Sequence, residues 1–234
     1  MSNIDLDGEQ ILESIAVADK FNYWMYSKMK PWSNAKTLEI GSGIGNISQF
    51  FIQDNKQIVL SDLREQYTQN LKEKFSNNEV IQLDLVDPNF ENTYADHLEQ
   101  YDFVFALNVV EHIKDDKKAL TNIYKLLKPG GYSFILVPAY QFLFNNFDVT
   151  LEHFRRYNRK TLESIIPQQM KKIKTSNFNF AGIFGWFFVG NILKKKTIPE
   201  SNMKLYNVLV PIFKIVDFLV LNRIGLSVIN ISQK

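Results

Sequence analysis

The chain has 234 residues, with 27 Lys and Arg against 25 Asp and Glu, and a net charge of +2. This length suits one domain with a sizeable core, and the small net charge predicts no strong attraction to nucleic acids. The absence of cysteine excludes disulfide bonds, thiolate metal sites and a cysteine nucleophile.

The first predicted element is helical and lies within the N-terminal 35 residues. Its apolar face contains Ile11, Leu12, Ile15, Ala16 and Ala18. The stretch at residues 21–32 is rich in aromatic residues, among them Tyr23, Trp24 and Tyr26. Aromatic residues at helical spacing can pack on a sheet, and we expect this as one role of the stretch.

Residues 36–45, KTLEIGSGIG, combine a short apolar strand with a glycine-rich turn, and an apolar stretch at 50–52 follows. A strand, a glycine turn and a helix in this order form a site for a nucleotide-like ligand at the carboxyl end of the strand. Gly41 allows the tight turn, whereas Gly43 and Gly45 let backbone N–H groups approach the ligand.

This loop differs from a dinucleotide-binding loop, which has the spacing G-x-G-x-x-G. The position of the third glycine in that pattern is Asn46 here, and the third glycine comes one position earlier, at Gly45. An NAD-dependent dehydrogenase is therefore disfavoured. A plain strand-to-helix turn stays open as long as the loop is considered alone.

Strand-like and helix-like segments alternate after the loop. A second strand at 57–61 ends at Asp62, which can accept hydrogen bonds from the ribose hydroxyls of a nucleoside. Further predicted elements are a helix at 64–75 with Tyr67, Leu71 and Phe75 on one face, a strand at 80–85, a strand at 101–108, a helix at 117–131 stopped by Pro129 and Gly130, and a strand at 132–139. The alternation predicts an α/β fold with a parallel, doubly wound sheet.

The segments LEIGSGIG, Asp62, LDL, NVVEHI and LLKPGG resemble, in order and spacing, the class I S-adenosylmethionine (SAM)-dependent methyltransferases. The resemblance covers residues 36–138. It implies a Rossmann-like sheet of seven mostly parallel strands with an antiparallel last strand, helices on both faces, and SAM as cofactor. It implies the following cofactor-binding residues: Glu39, Gly41, Ser42, Gly43, Gly45, Asp62, Leu63, Asp84, Leu85, Asn108 and Val109.

The resemblance also implies a single domain over residues 1–234, with the core at 36–138. Residues 1–35 would form a helical lid over the cofactor, which is the alternative to aromatic packing on the sheet. Asp84 would lie near the adenine amino group. Residues 139–170 would be an insertion at the acceptor site, and 171–234 would supply C-terminal strands and apolar helices.

The segment after the fifth strand is rich in reactive side chains: Asp148, Glu152, His153, Arg155, Arg156 and Tyr157. Loops at this edge of the sheet build the ligand crevice. We predict His153 as a catalytic base, because imidazole titrates near neutral pH, with Asp148 orienting it or acting itself. Arg155, Arg156 and Tyr157 are predicted to bind the acceptor, since guanidinium groups suit phosphate or carboxylate. A solvated helix with Glu152–Arg155 and Glu152–Arg156 ion pairs stays open.

The three histidines lie at positions 97, 112 and 153 and show no metal-ligand spacing, so the sequence predicts no metal. His97 lies in a polar stretch and is expected at the surface. We expect His112 to hydrogen-bond neighbouring backbone and to shape the pocket.

Two strands are predicted in the C-terminal part, at 172–180 and 226–233, and the resemblance places the last one between strands five and six. Residues 205–221 are apolar except for Asn207, Pro211, Lys214 and Asp217, which form a narrow stripe. A helix on one sheet face needs an apolar arc of only about 100°. Burial in an enlarged core, a homodimer interface, and a membrane surface with Lys194–Lys196 on acidic headgroups all fit, and core plus dimer is favoured. The segment is too short to span a bilayer.

The resemblance implies methyl transfer from SAM by in-line displacement. Beyond residue 138 the pattern is similar to a bacterial branch associated with surface-polysaccharide and glycolipid assembly. We therefore predict a small-molecule or lipid-linked acceptor, with a sugar oxygen favoured. A non-catalytic SAM-binding module and an N-methyltransferase for an amino sugar or other small amine stay open. The polar start MSNIDLDGEQ does not resemble a signal peptide, so we expect a cytoplasmic protein, with peripheral contact to the inner membrane face as an option.

Overall fold

The computed structural model describes residues 13–33, 35–192 and 200–234. Ile11 and Leu12 of the predicted N-terminal face, and the lysines at 194–196, lie outside the described residues.

The strands are β1 (Thr37–Ile40), β2 (Ile58–Asp62), β3 (Val80–Gln82), β4 (Tyr101–Leu107), β5 (Leu127–Pro138), β6 (Lys171–Phe178) and β7 (Ser227–Gln233). The α-helices are α1 (Asp19–Met29), α2 (Ser48–Gln53), α3 (Glu65–Lys74), α4 (Phe90–Thr93), α5 (Asp116–Leu126), α6 (Asn146–Thr150), α7 (Arg159–Glu163), α8 (Phe180–Phe187) and α9 (Glu200–Leu219). Short 3-10 helices lie at Lys30–Trp32, Ala95–His97, Val110–His112 and Gln141–Leu143, and a π-helical turn follows α8 at Phe188–Ile192.

Within the described residues, seven strands form one sheet in the order β3-β2-β1-β4-β5-β7-β6. Strands β1 to β5 pair in parallel, and β7 is antiparallel to both β5 and β6. The predicted fold, including the insertion of the last strand, is confirmed. The chain order reverses between β1 and β4, so the ligand crevice of such a sheet lies at the carboxyl ends of these two strands.

The core has one layer on each face of the sheet, because successive strand residues point to opposite sides. Val104 of β4 packs with Leu120 and Ile123 of α5. Phe105, its neighbour, packs in the other layer, where it stacks on Phe51 of α2 with ring centroids 5.0 Å apart. Helices therefore cover both faces, as predicted.

The aromatic residues of α1 pack mainly on the sheet. Trp24 and Tyr26 are buried, and Trp24 lies 4.4 Å from the Phe178 ring of β6 between centroids. Tyr26 contacts Phe51 at 4.8 Å. Of the two interpretations of this stretch, the packing of these side chains favours the structural one, since neither is exposed for contact with a ligand.

The boundary between α5 and β5 differs from the prediction. The helix ends at Leu126, and Pro129 and Gly130 lie inside β5 rather than at a helix end. The strand begins early because Leu127 pairs with Tyr101 and the N–H of Gly130 donates to the carbonyl of Lys234 at 2.9 Å. These partners are remote in the chain, so local sequence could not predict them.

Helix α9 packs with its polar stripe toward the protein. Asn207 accepts hydrogen bonds from the N–H groups of Lys20 and Phe21 at 2.9 and 3.2 Å. Asp217 accepts from the N–H groups of Asn179 and Phe180, both at 2.7 Å. The few polar residues of this helix thus satisfy the N-terminal donors of α1 and α8.

The opposite face of α9 is apolar and exposed, and it carries Leu205, Val208, Ile212, Ile215, Phe218 and Leu219. The exposed residues Phe184, Phe187, Phe188 and Ile192 of the preceding segment are also apolar. The expectation that an enlarged core buries this helix on two sides is therefore wrong for the chain on its own. In the part of the chain that the structure describes, every helix is too short or too polar to cross a membrane.

Candidate active site

The glycine loop follows β1 at the point where the strand order reverses. The φ angles of Gly41, Gly43 and Gly45 are +70°, +54° and +81°, a region that favours glycine. A Cβ on Gly41 would lie 2.5 Å from Cγ2 of Val109, and one on Gly45 would lie 2.4 Å from Cε2 of Phe75. Both positions therefore require glycine for close packing as well as for the turn.

Gly45 has a structural role that the sequence did not indicate. Its N–H donates to the carbonyl of Ser42 at 2.8 Å, and its Cα packs toward Phe75 behind the loop. The expectation that Gly45 offers its N–H to a ligand is replaced by this turn hydrogen bond.

Two buried carboxylates organise the loop. Asp62, at the end of β2, accepts from the N–H of Gly43 at 2.9 Å and from the N–H of Arg64 at 3.0 Å. Burial raises the pKa of Asp62, and this effect is larger than the lowering by the hydrogen bonds. Glu39 accepts from the hydroxyl of Ser48, and burial raises its pKa to about 7. Asp62 thus connects the loop after β1 to the end of β2.

A cavity of about 570 Å³ lies at the carboxyl ends of β2 and β3, and its lining residues are Leu63, Ile81, Gln82, Asp84, Thr93, Tyr94 and His97. This size is typical of small-ligand sites. Two predicted cofactor residues, Leu63 and Asp84, line it. The side chain of Leu85 is instead buried in the core, and its carbonyl accepts from Asn122 at 2.9 Å. The side chain of Leu85 therefore does not line the cavity.

The turn after β4 completes the crevice. Asn108 is exposed, adopts a left-handed conformation with φ +53°, and donates its N–H to Leu136 at 2.9 Å. Val109 contacts the glycine loop at Gly41. The residues expected at the cofactor site thus follow the ends of four adjacent parallel strands, β1 to β4. A glycine loop, an acid at the end of β2 and a cavity beside a second acid fit an adenosyl ligand.

A second cluster lies in the segment after β5. Oδ1 of Asp148 accepts from Nδ1 of His153 at 2.7 Å and from Nε of Arg156 at 2.8 Å. Burial alone raises the pKa of Asp148, but the hydrogen bonds from His153 and Arg156 outweigh it, and the pKa lies below its usual value. An ionised Asp148 fixes the Nδ1–H tautomer of His153 and leaves Nε2 for chemistry. The structure brings together the predicted pair Asp148 and His153.

Two neighbours of His153 were not predicted as functional. Glu111 is fully buried, and its Oε1 lies 4.0 Å from Nε2 of His153. The ring of His112 lies edge-to-face with that of His153 at 4.6 Å between centroids. Burial raises the pKa of Glu111 to about 8. The available signal was the dipeptide Glu111-His112, which begins three residues after the predicted strand end at Asn108, but its partner His153 is remote in the chain.

His112 neighbours both the cluster after β5 and the loop after β2. Solvent reaches this residue, yet protein atoms crowd its ring, and this crowding together with His153 lowers its pKa. The charge of Arg64, two residues after Asp62, acts in the same direction. The cluster after β5 and the loop after β2 therefore converge on one side of the molecule.

The predicted acceptor-binding residues bind other parts of the protein. Arg155 donates to Asp116 at 2.6 Å, and the hydroxyl of Tyr157 donates to the same carboxylate at 2.8 Å. Arg156 is buried, with its guanidinium 4.5 Å from the Trp186 ring centroid. The solvated-helix alternative is wrong, because α6 ends at Thr150 and the arginines pair with Asp116 and Asp148. These contacts indicate that the arginines support the site rather than face an acceptor.

Comparison with known proteins matches residues 38–133 to a family model described as a methyltransferase domain. The ubiquinone biosynthesis O-methyltransferase of Klebsiella pneumoniae (strain 342) is 28% identical over 99 residues, which are 42% of this chain and 40% of the relative. That of Dictyostelium discoideum is 25% identical over 116 residues, which are 45% of this chain and 36% of the relative. The chain thus spans only 36% to 40% of the length of these relatives.

Solved structures match over most of the chain. A SAM-dependent methyltransferase from Archaeoglobus fulgidus has a TM-score of 0.60 at 16% identity, with 91% of this chain and 94% of that chain covered. Phosphoethanolamine N-methyltransferase 2 of Haemonchus contortus, in complex with SAM, has a TM-score of 0.60 at 19% identity, with 91% and 52% covered. The chain therefore has the fold of these SAM-dependent methyltransferases, and its residues 38–133 match the methyltransferase-domain model.

Proposed function

We propose that the protein transfers the methyl group of SAM to a hydroxyl of a small-molecule or lipid-linked acceptor. The observation that carries this proposal is the pair Asp148 and His153, in which a buried carboxylate orients an imidazole beside the turn after β4. A hydroxyl gains roughly 10²–10⁴ in rate from a general base. An amine or carbon nucleophile needs less help, so a base of this kind favours oxygen.

The cofactor supplies a methyl group that its sulfonium already activates. In the proposed site, the glycine loop at residues 41–43 packs against the adenosyl part, the carboxylate of Asp62 orients it, and Asp84 lies at the cavity for the adenine. His153 accepts the proton of the acceptor hydroxyl at Nε2, while Asp148 stabilises the resulting imidazolium. Arg156 keeps Asp148 ionised through its hydrogen bond at 2.8 Å. Holding both reactants in line accounts for the remaining acceleration.

Activity is tested with SAM labelled in its methyl group and a set of hydroxyl and amine acceptors that includes sugars, phenols, lipid-linked glycans and phosphoethanolamine. Label in a base-stable ether supports the proposal, and label in an amine supports the N-methyltransferase alternative. Binding of SAM without transfer to any acceptor supports a non-catalytic module. No binding of SAM would contradict the proposal.

Replacing His153 by alanine is expected to reduce turnover of the identified hydroxyl acceptor by roughly 10²–10⁴, because the proton acceptor is lost. The Kd for SAM, measured by calorimetry, should change little. Glu152→Ala is the matched control, since Glu152 is the exposed neighbour of His153. Equal turnover in the His153 and Glu152 variants would remove His153 from the role of base.

A lipid-linked acceptor is supported by the exposed apolar face of α9 and the segment before it. Ile212 and Ile215 are 56% and 60% exposed. In sequence, three lysines at 194–196 stand between these two apolar segments. Apolar segments with lysines between them in the sequence suit the surface of an anionic bilayer. The proposal therefore includes peripheral contact with a membrane, and a homodimer through the same face is its alternative.

The double variant Ile212→Glu/Ile215→Glu is expected to abolish co-flotation with phosphatidylglycerol-containing liposomes, because charges at this face cannot enter the acyl boundary. Gln69→Glu/Asn77→Glu adds the same charge at two exposed positions of another surface and should float like the wild type. Sedimentation velocity on the same proteins measures the oligomeric state. A wild-type dimer that the first variant converts to monomer, without any flotation, would assign the face to a second copy.

A further inference from the structure

Three side chains beside the proposed base form a compact set of metal-ligand atoms. Glu111, His112 and His153 each offer one such atom, and these atoms all lie within 4.8 Å of one another. Two bonds of about 2.1 Å around a tetrahedral ion separate the ligand atoms by roughly 3.4 Å. The 4.0 Å between Oε1 of Glu111 and Nε2 of His153 is too long for a hydrogen bond. A small movement of the two side chains toward each other would bring these atoms to the separation of two ligands of one ion.

The carboxyl group of Glu111 is buried without a partner among the described residues. Both of its oxygens are buried, and neither has a hydrogen-bond partner there. An unpartnered buried carboxyl is costly, and buried charges are normally paired or coordinate a metal. Its backbone carbonyl, in contrast, accepts from the N–H of Phe154 at 2.9 Å, which holds Glu111 against the segment that carries His153. The backbone thus fixes the carboxyl where a cation would be its partner.

His153 has the outer partner that metal-binding histidines usually have. Nδ1 of His153 hydrogen-bonds Asp148 at 2.7 Å, so that Nε2 points toward Glu111. Such a bond fixes the tautomer and directs the other nitrogen toward the ion. The hydrogen bond from His153 to Asp148 therefore orients the imidazole equally well as a metal ligand and as a general base.

We propose that Glu111, His112 and His153 bind a divalent transition-metal ion whose open positions take the oxygen of the acceptor. Two imidazoles and one carboxylate suit Zn²⁺ or Mn²⁺ better than Mg²⁺, which prefers oxygen ligands. The exposed position of His112 leaves a path for the acceptor. The sequence predicted no metal because the histidines are far apart in the chain. The fold brings His112 and His153 together.

This inference rests on the proposed methyl transfer to a hydroxyl and specifies how the hydroxyl is activated. The bound ion lowers the pKa of the acceptor hydroxyl, whose proton leaves to water. The resulting oxyanion forms the O–CH₃ bond as the S–CH₃ bond of SAM breaks, and S-adenosylhomocysteine leaves. His153 then acts as a ligand, and the proton goes to solvent instead of Nε2.

The full chain, freed of metal with a chelator, is titrated calorimetrically with Zn²⁺, Mn²⁺ and Mg²⁺ in separate experiments. We expect one Zn²⁺ or Mn²⁺ per chain and weaker binding of Mg²⁺. Glu111→Gln, which keeps the shape of the side chain, and His112→Ala should lose this binding. His97→Ala removes the histidine that instead hydrogen-bonds Tyr101 at 2.7 Å, and it should bind like the wild type. Melting temperatures without metal verify that each variant is folded.

A separate titration with SAM distinguishes this inference from the proposed function. Wild-type protein that binds SAM but neither Zn²⁺ nor Mn²⁺ would overturn the metal site and leave His153 as the base. Equal metal affinity in Glu111→Gln and wild type would overturn it as well. Metal binding that depends on Glu111 in a chain that does not bind SAM would support the site and contradict the methyltransferase proposal.

Discussion

Replacing Asp148 by alanine is expected to destabilise the folded protein by about 3–5 kcal/mol, because it leaves a buried charge without its partner. The side chain of Arg156 is only 1% exposed, and that of Asp148 is fully buried. Oδ2 of Asp148 also accepts from the N–H of Asn145 at 2.9 Å, which begins α6. Loss of the carboxylate therefore affects the ion pair, the helix start and the orientation of His153.

Chemical denaturation of the variant and the wild type measures this difference. Glu163→Ala is the control, since Glu163 pairs with Lys172 at 3.8 Å at the surface, where an ion pair contributes roughly 0–1 kcal/mol. The lowered pKa of Asp148 adds a pH test. Its contribution to stability is present above the unfolded-state pKa and is lost as the pH falls through the folded-state pKa. A Glu163 variant as unstable as the Asp148 variant would contradict the assignment.

Asp62→Ala is expected to weaken the binding of SAM by about 3 kcal/mol, which is roughly a hundredfold in Kd. Two effects act together. The alanine cannot accept hydrogen bonds from the ribose hydroxyls, and it also releases the N–H of Gly43, which Asp62 binds at 2.9 Å. The glycine loop then loses one of its contacts with β2, and the hydrogen bonds between Ser42 and Ser61 remain.

Calorimetric titration with SAM and with S-adenosylhomocysteine measures the effect. Asp96→Ala changes an exposed acid and is expected to bind both ligands like the wild type. Asp62→Asn keeps an acceptor oxygen without the charge and should fall between the alanine variant and the wild type. Unchanged affinity in folded Asp62→Ala would show that the cofactor binds elsewhere.

The glycine loop illustrates what a short sequence determines. Gly41 and Gly43 adopt positive φ angles directly after β1, as the strand-turn-helix pattern predicts. Asp62 ends β2, just after the apolar run at residues 58–60. These features depend on neighbours a few residues away, so the local pattern carries them. Even there, the packing of Gly45 against Phe75 required the helix that follows β2.

The acceptor side shows the limit of such reasoning. The sequence indicated Asp148 and His153, which lie close in the chain and hydrogen-bond each other. It assigned Arg155 and Arg156 to an acceptor, and it gave Glu111 no role. Arg155 and Glu111 have partners in other segments: Asp116 for Arg155, and the segment after β5 for Glu111.

The sequence alone determined the α/β class, the parallel core and the residues at the ends of the first strands, because hydrophobic periodicity and glycine turns act over a few neighbouring residues. Only the tertiary structure decided which charges pair, that two histidines meet one buried carboxylate, and that α9 turns its apolar face outward. Pairing and burial depend on contacts between segments far apart in the chain, and one strand register or helix rotation decides them for many residues at once.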